Sequence, residues 1–131
     1  MLKILLSIVI FLHGAVHVWY VLLIGNVVKY SPDMGWTGKS WLFPGVAVEG
    51  LFRFAGMAAY ILSALLFVIS SSGILMNKSW YPLWLLVSAV VSSIAVIFFF
   101  DGRFQLLVQK GMLGLIVNIL IIVTLVIKFF S

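Results

Sequence analysis

Residues 2–28 read LKILLSIVIFLHGAVHVWYVLLIGNVV, and this stretch decides the fold. After Lys3 it carries no Lys, Arg, Asp or Glu, and as a helix it is long enough to cross the roughly 30 Å hydrocarbon core of a bilayer. In its middle lie His13 and His17, the only histidines of the chain. Four residues apart, they fall on one helix face about one turn from each other. An ionisable side chain at that depth is costly unless it turns into the bundle, so the pair marks the first candidate site.

Outward from this run the composition repeats the message. Of 131 residues 65% are hydrophobic and 8% charged, against roughly half and a quarter in soluble domains. A chain of this size has too little interior to bury so much apolar surface in water. The expected fold is therefore all-α and integral to the lipid bilayer, a single domain of four antiparallel transmembrane helices over about 2–28, 46–70, 80–100 and 111–129. The eight Lys and Arg outnumber three acids but stand singly at span ends. They are read as interfacial anchors rather than a nucleic-acid surface. With no cysteine, disulfides, iron–sulfur clusters and thiolate metal sites are excluded.

Pro32 disfavours helix at Ser31, so the first span is expected to stop there. Residues 31–47, SPDMGWTGKSWLFPGVA, hold three large aromatics among glycines and prolines and are expected to cap one membrane face. Along the second span Glu49, Arg53, Gly56, Tyr60 and Ser63 share a stripe, with Glu49 and Arg53 in the favourable order for a helical ion pair. A short turn is expected over 71–79, where Asn77-Lys78-Ser79 matches a glycosylation acceptor only by chance. Ser88 and Ser92 on the third span are read as packing residues, and Asn118 on the fourth as an interhelical hydrogen-bonding group.

In an up-down-up-down bundle the first and third connections share a face. His17, Tyr20, Arg53 and Asn118 then lie at similar depth below it, with Glu49 nearer the mouth, which predicts a polar pocket opening there. Of the two histidines, His17 is one turn nearer that face and has Tyr20 beyond it as a hydrogen-bond partner. It is expected to line the pocket, and His13 to be held in the packing.

The patterns ILLSIVIFLHGAVHVW and GLFRFAGMAAYILSALLFV resemble those of the DoxX-like group of small four-span membrane proteins, which includes relatives of a thiosulfate:quinone oxidoreductase subunit. The matching positions are His13-Gly14 on the first span and Arg53…Gly56 on the second. The resemblance implies a quinone-linked oxidoreductase component served by a redox partner.

Three readings of function stay open on the residues alone. One is a structural or accessory membrane subunit, alone or as a homo-oligomer, with a polar pocket inside the membrane. Another is a quinone site, with His17, Tyr20 and Arg53 as donors to the carbonyl oxygens. The last is a divalent metal or haem site on His13 and His17, with Glu49 as the third ligand of a metal. The topology is open to direct measurement, because the chain has no cysteine of its own. Single cysteines at positions 38 and 75 are expected to react with an impermeant maleimide from opposite faces of a vesicle. Labelling of both from one face would rule the topology out.

Overall fold

A computed structural model describes residues 1–28, 40–43, 49–102, 104, 107, 108 and 110–131. Four helices account for most of them: α1 (Leu2–Ile24), α2 (Glu49–Leu75), α3 (Tyr81–Phe99) and α4 (Met112–Phe130). No strand occurs among the described residues, and each helix is long and apolar enough to cross a membrane. Successive helices pack as neighbours, α1 on α2, α2 on α3 and α3 on α4. Contacts between opposite ends set them antiparallel. Ser7 near the start of α1 meets Ser71 near the end of α2, and Gly56 near the start of α2 meets Ile24 at the end of α1. The bundle closes where His13 of α1 meets Asn118 of α4.

Two helices end differently from the sequence expectation, by one device. The first stops at Ile24 rather than near Val28, because Asn26 turns left-handed at φ 56°. The Asn26 N–H then bonds the Leu23 carbonyl at 3.1 Å and the Val27 N–H bonds Leu22 at 2.9 Å, the two reverse bonds of a Schellman motif. The second helix runs past Ser70 to Leu75, where Asn77 adopts φ 55°. Here the Asn77 and Lys78 N–H groups bond the Ile74 and Gly73 carbonyls at 3.2 and 2.9 Å. Asn77 thus ends a helix, and its side-chain oxygen accepts from Lys3 at 2.6 Å. Ser70 and Ser72 stay helical by donating to carbonyls four residues back. The third and fourth helices match their expected spans to within a residue at each end. Gly111 precedes α4 at φ 103°, which a side chain would oppose.

Of the predicted cap, only residues 40–43 are described, and they lie on the end of α3. Ser40 Oγ donates to the Phe98 carbonyl at 2.6 Å, Trp41 Nε1 to Ile97 at 2.7 Å and the Trp41 N–H to Phe100 at 3.0 Å. Carbonyls at a helix C-terminus have no partner within the helix, so this segment supplies what α3 lacks.

The core forms two apolar layers. Ile10, Phe67, Ile74, Leu85, Ala89 and Leu125 make one, towards the chain termini. Tyr20, Leu23, Ile24, Tyr60, Ala95 and Val96 make the other, towards the Ser40–Phe43 segment. Hydrophobic transfer gives little drive to pack helices already in lipid, so close approach matters more. At Gly14 a Cβ would lie 2.7 Å from Phe67 Cβ and 3.4 Å from the Ala64 carbonyl oxygen. Phe67 is fully buried and its Cβ moves only with the backbone. Gly14→Ala is therefore expected to destabilise the bundle by about 1–3 kcal/mol through overpacking. Gly50→Ala, with nothing within 4 Å of the added carbon, is expected to be neutral or stabilising. Thermal unfolding in detergent reads both; equal effects would show that Gly14 is not a close-contact position.

Candidate functional site

Between the two apolar layers lies a polar one, built from α1, α3 and α4. His17, Ser92 and Asn118 are its deepest members, at 1%, 0% and 0% exposure. His13 is half-buried at the edge of α1 that faces α4. Four contacts join them: His13 Nε2 to Asn118 Oδ1 at 2.8 Å, Asn118 Nδ2 to Ser92 Oγ at 2.8 Å, Ser92 Oγ to His17 Nε2 at 2.6 Å, and His17 Nδ1 to the His13 carbonyl at 3.0 Å.

With both imidazoles neutral, elementary valence fixes every proton in this ring. A carbonyl oxygen only accepts, so His17 Nδ1 carries hydrogen and donates to it. One hydrogen per imidazole is then enough, because His17 Nε2 becomes an acceptor and Ser92 donates to it. The Ser92 oxygen is left to accept from the Asn118 amide, whose own oxygen accepts from His13 Nε2–H. Turning the Asn118 amide over would leave Ser92 with one hydrogen for two acceptors, so the orientation is determined as well. The ring runs in one direction, from His13 through Asn118, Ser92 and His17 back to the His13 backbone.

This arrangement reverses the expectation for the two histidines. His17 is the packed one, buried and with both ring nitrogens engaged. His13 is the partly exposed one, and its Nδ1 has no hydrogen-bond partner among the described residues. Tyr20 does not bond His17 either; the rings meet edge to face at 5.8 Å, while Ser92 takes the bond expected of Tyr20. The Tyr20 and Tyr60 rings pack at 5.1 Å with both side chains buried, and neither hydroxyl has a hydrogen-bond partner among the described residues.

Arg53 is not brought to the histidines. It lies at the far end of α1 beside Asn26, whose amide oxygen, turned towards the guanidinium, accepts from both terminal nitrogens, Nη2 at 3.0 Å. Glu49 opens α2, and its side chain lies outside the described residues. No group of three His, Asp or Glu that could hold a metal occurs among the described residues. Of the six residues singled out from sequence, His13, His17, Tyr20 and Asn118 come together. Ser92 is the member that sequence reasoning missed.

A cavity of about 170 Å³ opens towards the capped face, between Trp41, Val96, Ile97 and Phe100 on one side and Met112 and Leu115 on the other. Its lining is apolar except for Lys110, which pairs with the buried Asp101 carboxylate at 2.8 Å. The histidines do not line it, so the expected polar pocket at that face is not what the cavity provides. Comparison with family models, with curated proteins and with solved structures returns no match to this chain.

Ser92 is the junction of the ring. Ser92→Ala leaves a buried amide N–H and a buried imidazole nitrogen without partners and is expected to cost about 1–3 kcal/mol. Ser93, its neighbour, bonds only the Ala89 carbonyl of its own helix among the described residues. Ser93→Ala is expected to cost less than about 0.5 kcal/mol. Unfolding both variants in one detergent measures the difference, and equal costs would mean that the ring does not contribute to stability.

Proposed function

We propose that the chain is a small structural or accessory subunit of a membrane, with its intramembrane histidines serving the packing of four helices through a buried polar layer. The observation that supports this most is the closed hydrogen-bond ring, in which three of the four imidazole nitrogens are already committed. A catalytic or metal-binding imidazole needs a nitrogen to offer, and His17 has none without breaking a buried bond. As an accessory subunit the chain would meet a membrane partner, or a second copy of itself, through its outward apolar faces. The DoxX-like affiliation belongs to the same proposal, and both of its motif positions have packing partners: Gly14 against Phe67, and Gly56 against Phe99 and Ile24.

The quinone reading loses two of its three donors, because His17 is occupied and Arg53 lies beside Asn26. For the metal reading, His17 Nε2 accepts from Ser92 and Nδ1 carries hydrogen, so both would have to be released before it could ligate. Ligand linkage tests the three readings together. A ligand at a hundred times its dissociation constant stabilises a protein by about 2.7 kcal/mol, a shift of several degrees in melting temperature. Neither Zn²⁺, EDTA nor a short-tail benzoquinone is expected to move the melting temperature of protein purified without a His tag. His17→Ala is expected to lower it. A rise with Zn²⁺ or the benzoquinone that disappears in His17→Ala would replace the structural proposal with a ligand site.

A further inference from the structure

The end of the bundle that carries the start of α1 and the end of α4 holds lysines and, among the described residues, no side-chain carboxylate. Lys3 lies in the first turn of α1, Lys78 in the α2–α3 turn and Lys128 in the last turn of α4, and all are exposed. The acids of the chain belong elsewhere in sequence: Asp33 to the connection between α1 and α2, Glu49 to the start of α2 and Asp101 to the segment after α3. Two of the lysines are brought to one place. Lys3 Nζ donates to Asn77 Oδ1 at 2.6 Å, and Lys78 is the next residue along the chain. The left-handed Asn77 fixes that turn, where the Lys78 N–H bonds the Gly73 carbonyl at 2.9 Å. An ammonium carries three hydrogens, so Lys3 keeps two uncommitted among the described residues and Lys78 keeps all of its own. At the opposite end Lys110 is treated differently, since it meets both oxygens of Asp101.

The surroundings of the turn select what supplies the missing negative charge. Trp80 and Tyr81 follow it directly and Trp84 lies one turn further, with Trp80 39% and Trp84 40% exposed. Outward aromatic side chains at a span end mark the headgroup level of a bilayer. Apolar side chains also face outward beside the lysines. Leu6 stands one turn into the span from Lys3, and Leu75 and Met76 immediately precede the turn, all of them exposed. A water-borne anion would use the ammonium groups alone. An amphiphile uses both features, its charge at the lysines and its chains against the apolar side chains. A zwitterionic lipid brings a cation of its own to its phosphate, whereas a lipid of net negative charge leaves the phosphate to the protein.

We propose that Lys3, held on Asn77, and Lys78 together bind the phosphate of an anionic phospholipid whose acyl chains lie along the outward apolar side chains below them. The site draws on two helices and the turn between two others, so it forms only when α1 is packed against the end of α2. It uses no member of the histidine ring and goes beyond the accessory-subunit reading by naming a lipid that this end recognises.

Native mass spectrometry of the detergent-solubilised chain, titrated with phosphatidylglycerol or phosphatidylcholine of identical acyl chains, tests this. Phosphatidylglycerol is expected to bind more tightly by about tenfold or more. Lys3→Gln and Lys78→Gln are each expected to weaken it about fivefold, the weight of one lysine beside anionic lipid. Lys128→Gln removes the same charge from the same end but not from the turn, and is expected to change binding less than about twofold. Millimolar inorganic phosphate is expected not to displace the bound lipid. Equal binding of the two lipids overturns the proposal. So do equal losses in all three lysine variants, which would mean diffuse attraction to the whole end, and displacement by inorganic phosphate, which would assign the turn to a water-borne anion. All three lysines are exposed, so their variants are expected to melt within a degree or two of the wild type without added lipid. Ser92→Ala is expected to lower the melting temperature and leave phosphatidylglycerol binding unchanged, so failure of the lipid site and failure of the structural proposal give different results.

Discussion

A bilayer interior offers an imidazole no water, and the polar layer of this bundle is built to that constraint. Each hydrogen-bonding atom left bare in hydrocarbon costs more than a typical interhelical bond returns, about 0.6 kcal/mol on average. What holds the ring closed is less the gain from each bond than the penalty for opening any of them. The His13 carbonyl supplies the one fixed polarity, and the other bonds follow in sequence. A cluster of this kind is intolerant of register error. A slip of α4 by one residue would carry Asn118 away from His13 and Ser92 at once.

That intolerance matters most for α4. Among the four helices it has the least of its apolar span buried, 11% against 28%, 33% and 44% for the others. Its side chains are mainly turned outward, with Asn118 and Leu125 the buried ones. Packing alone therefore defines its rotation weakly, and Asn118 defines it strongly by reaching α1 and α3 together. Elsewhere the helices are joined by serine pairs, Ser7 with Ser71 and Ser70 with Ser88, each at 3.0 Å. Serine suits this use because it is small enough for close approach and can give its one hydrogen either across, as Ser7 does to the Ser71 carbonyl, or back along its own helix, as Ser88 does to Trp84.

Much of this was legible from composition and periodicity, and the misreadings have physical causes. The four spans follow from apolar length alone. Two ends differ from that reading where asparagine stops a helix by turning left-handed, at Asn26 and Asn77, a conformation that neither Pro32 nor the run of serines signals. Those serines look like a turn, yet back-bonding keeps them helical. His13, His17 and Asn118 stand out as rare polar groups in apolar runs. Ser92 does not, since it resembles Ser88 and Ser93, and which serine meets a histidine depends on how α3 sits against α1. No single-helix pattern contains that information.

The exchange of roles between His13 and His17 comes down to the rotation of α1. Apolar periodicity allows a stripe through Leu6, Ile10, His13, His17 and Tyr20, which puts both imidazoles inward. The buried face instead runs through Ser7, Ile10, Gly14, His17 and Tyr20, with Leu6 42% exposed. Gly14 decides between the two. Only where α1 carries no Cβ can Phe67 approach, so the helix turns Gly14 towards α2 and its neighbour His13 moves to the edge facing α4. Ser7 reinforces the same rotation through its bonds to Ser71. His17, three residues after Gly14, is carried into the core, where Ser92 is its partner. The half-exposed position of His13 is thus a consequence of a steric requirement at one glycine, one residue away from the histidine it displaces.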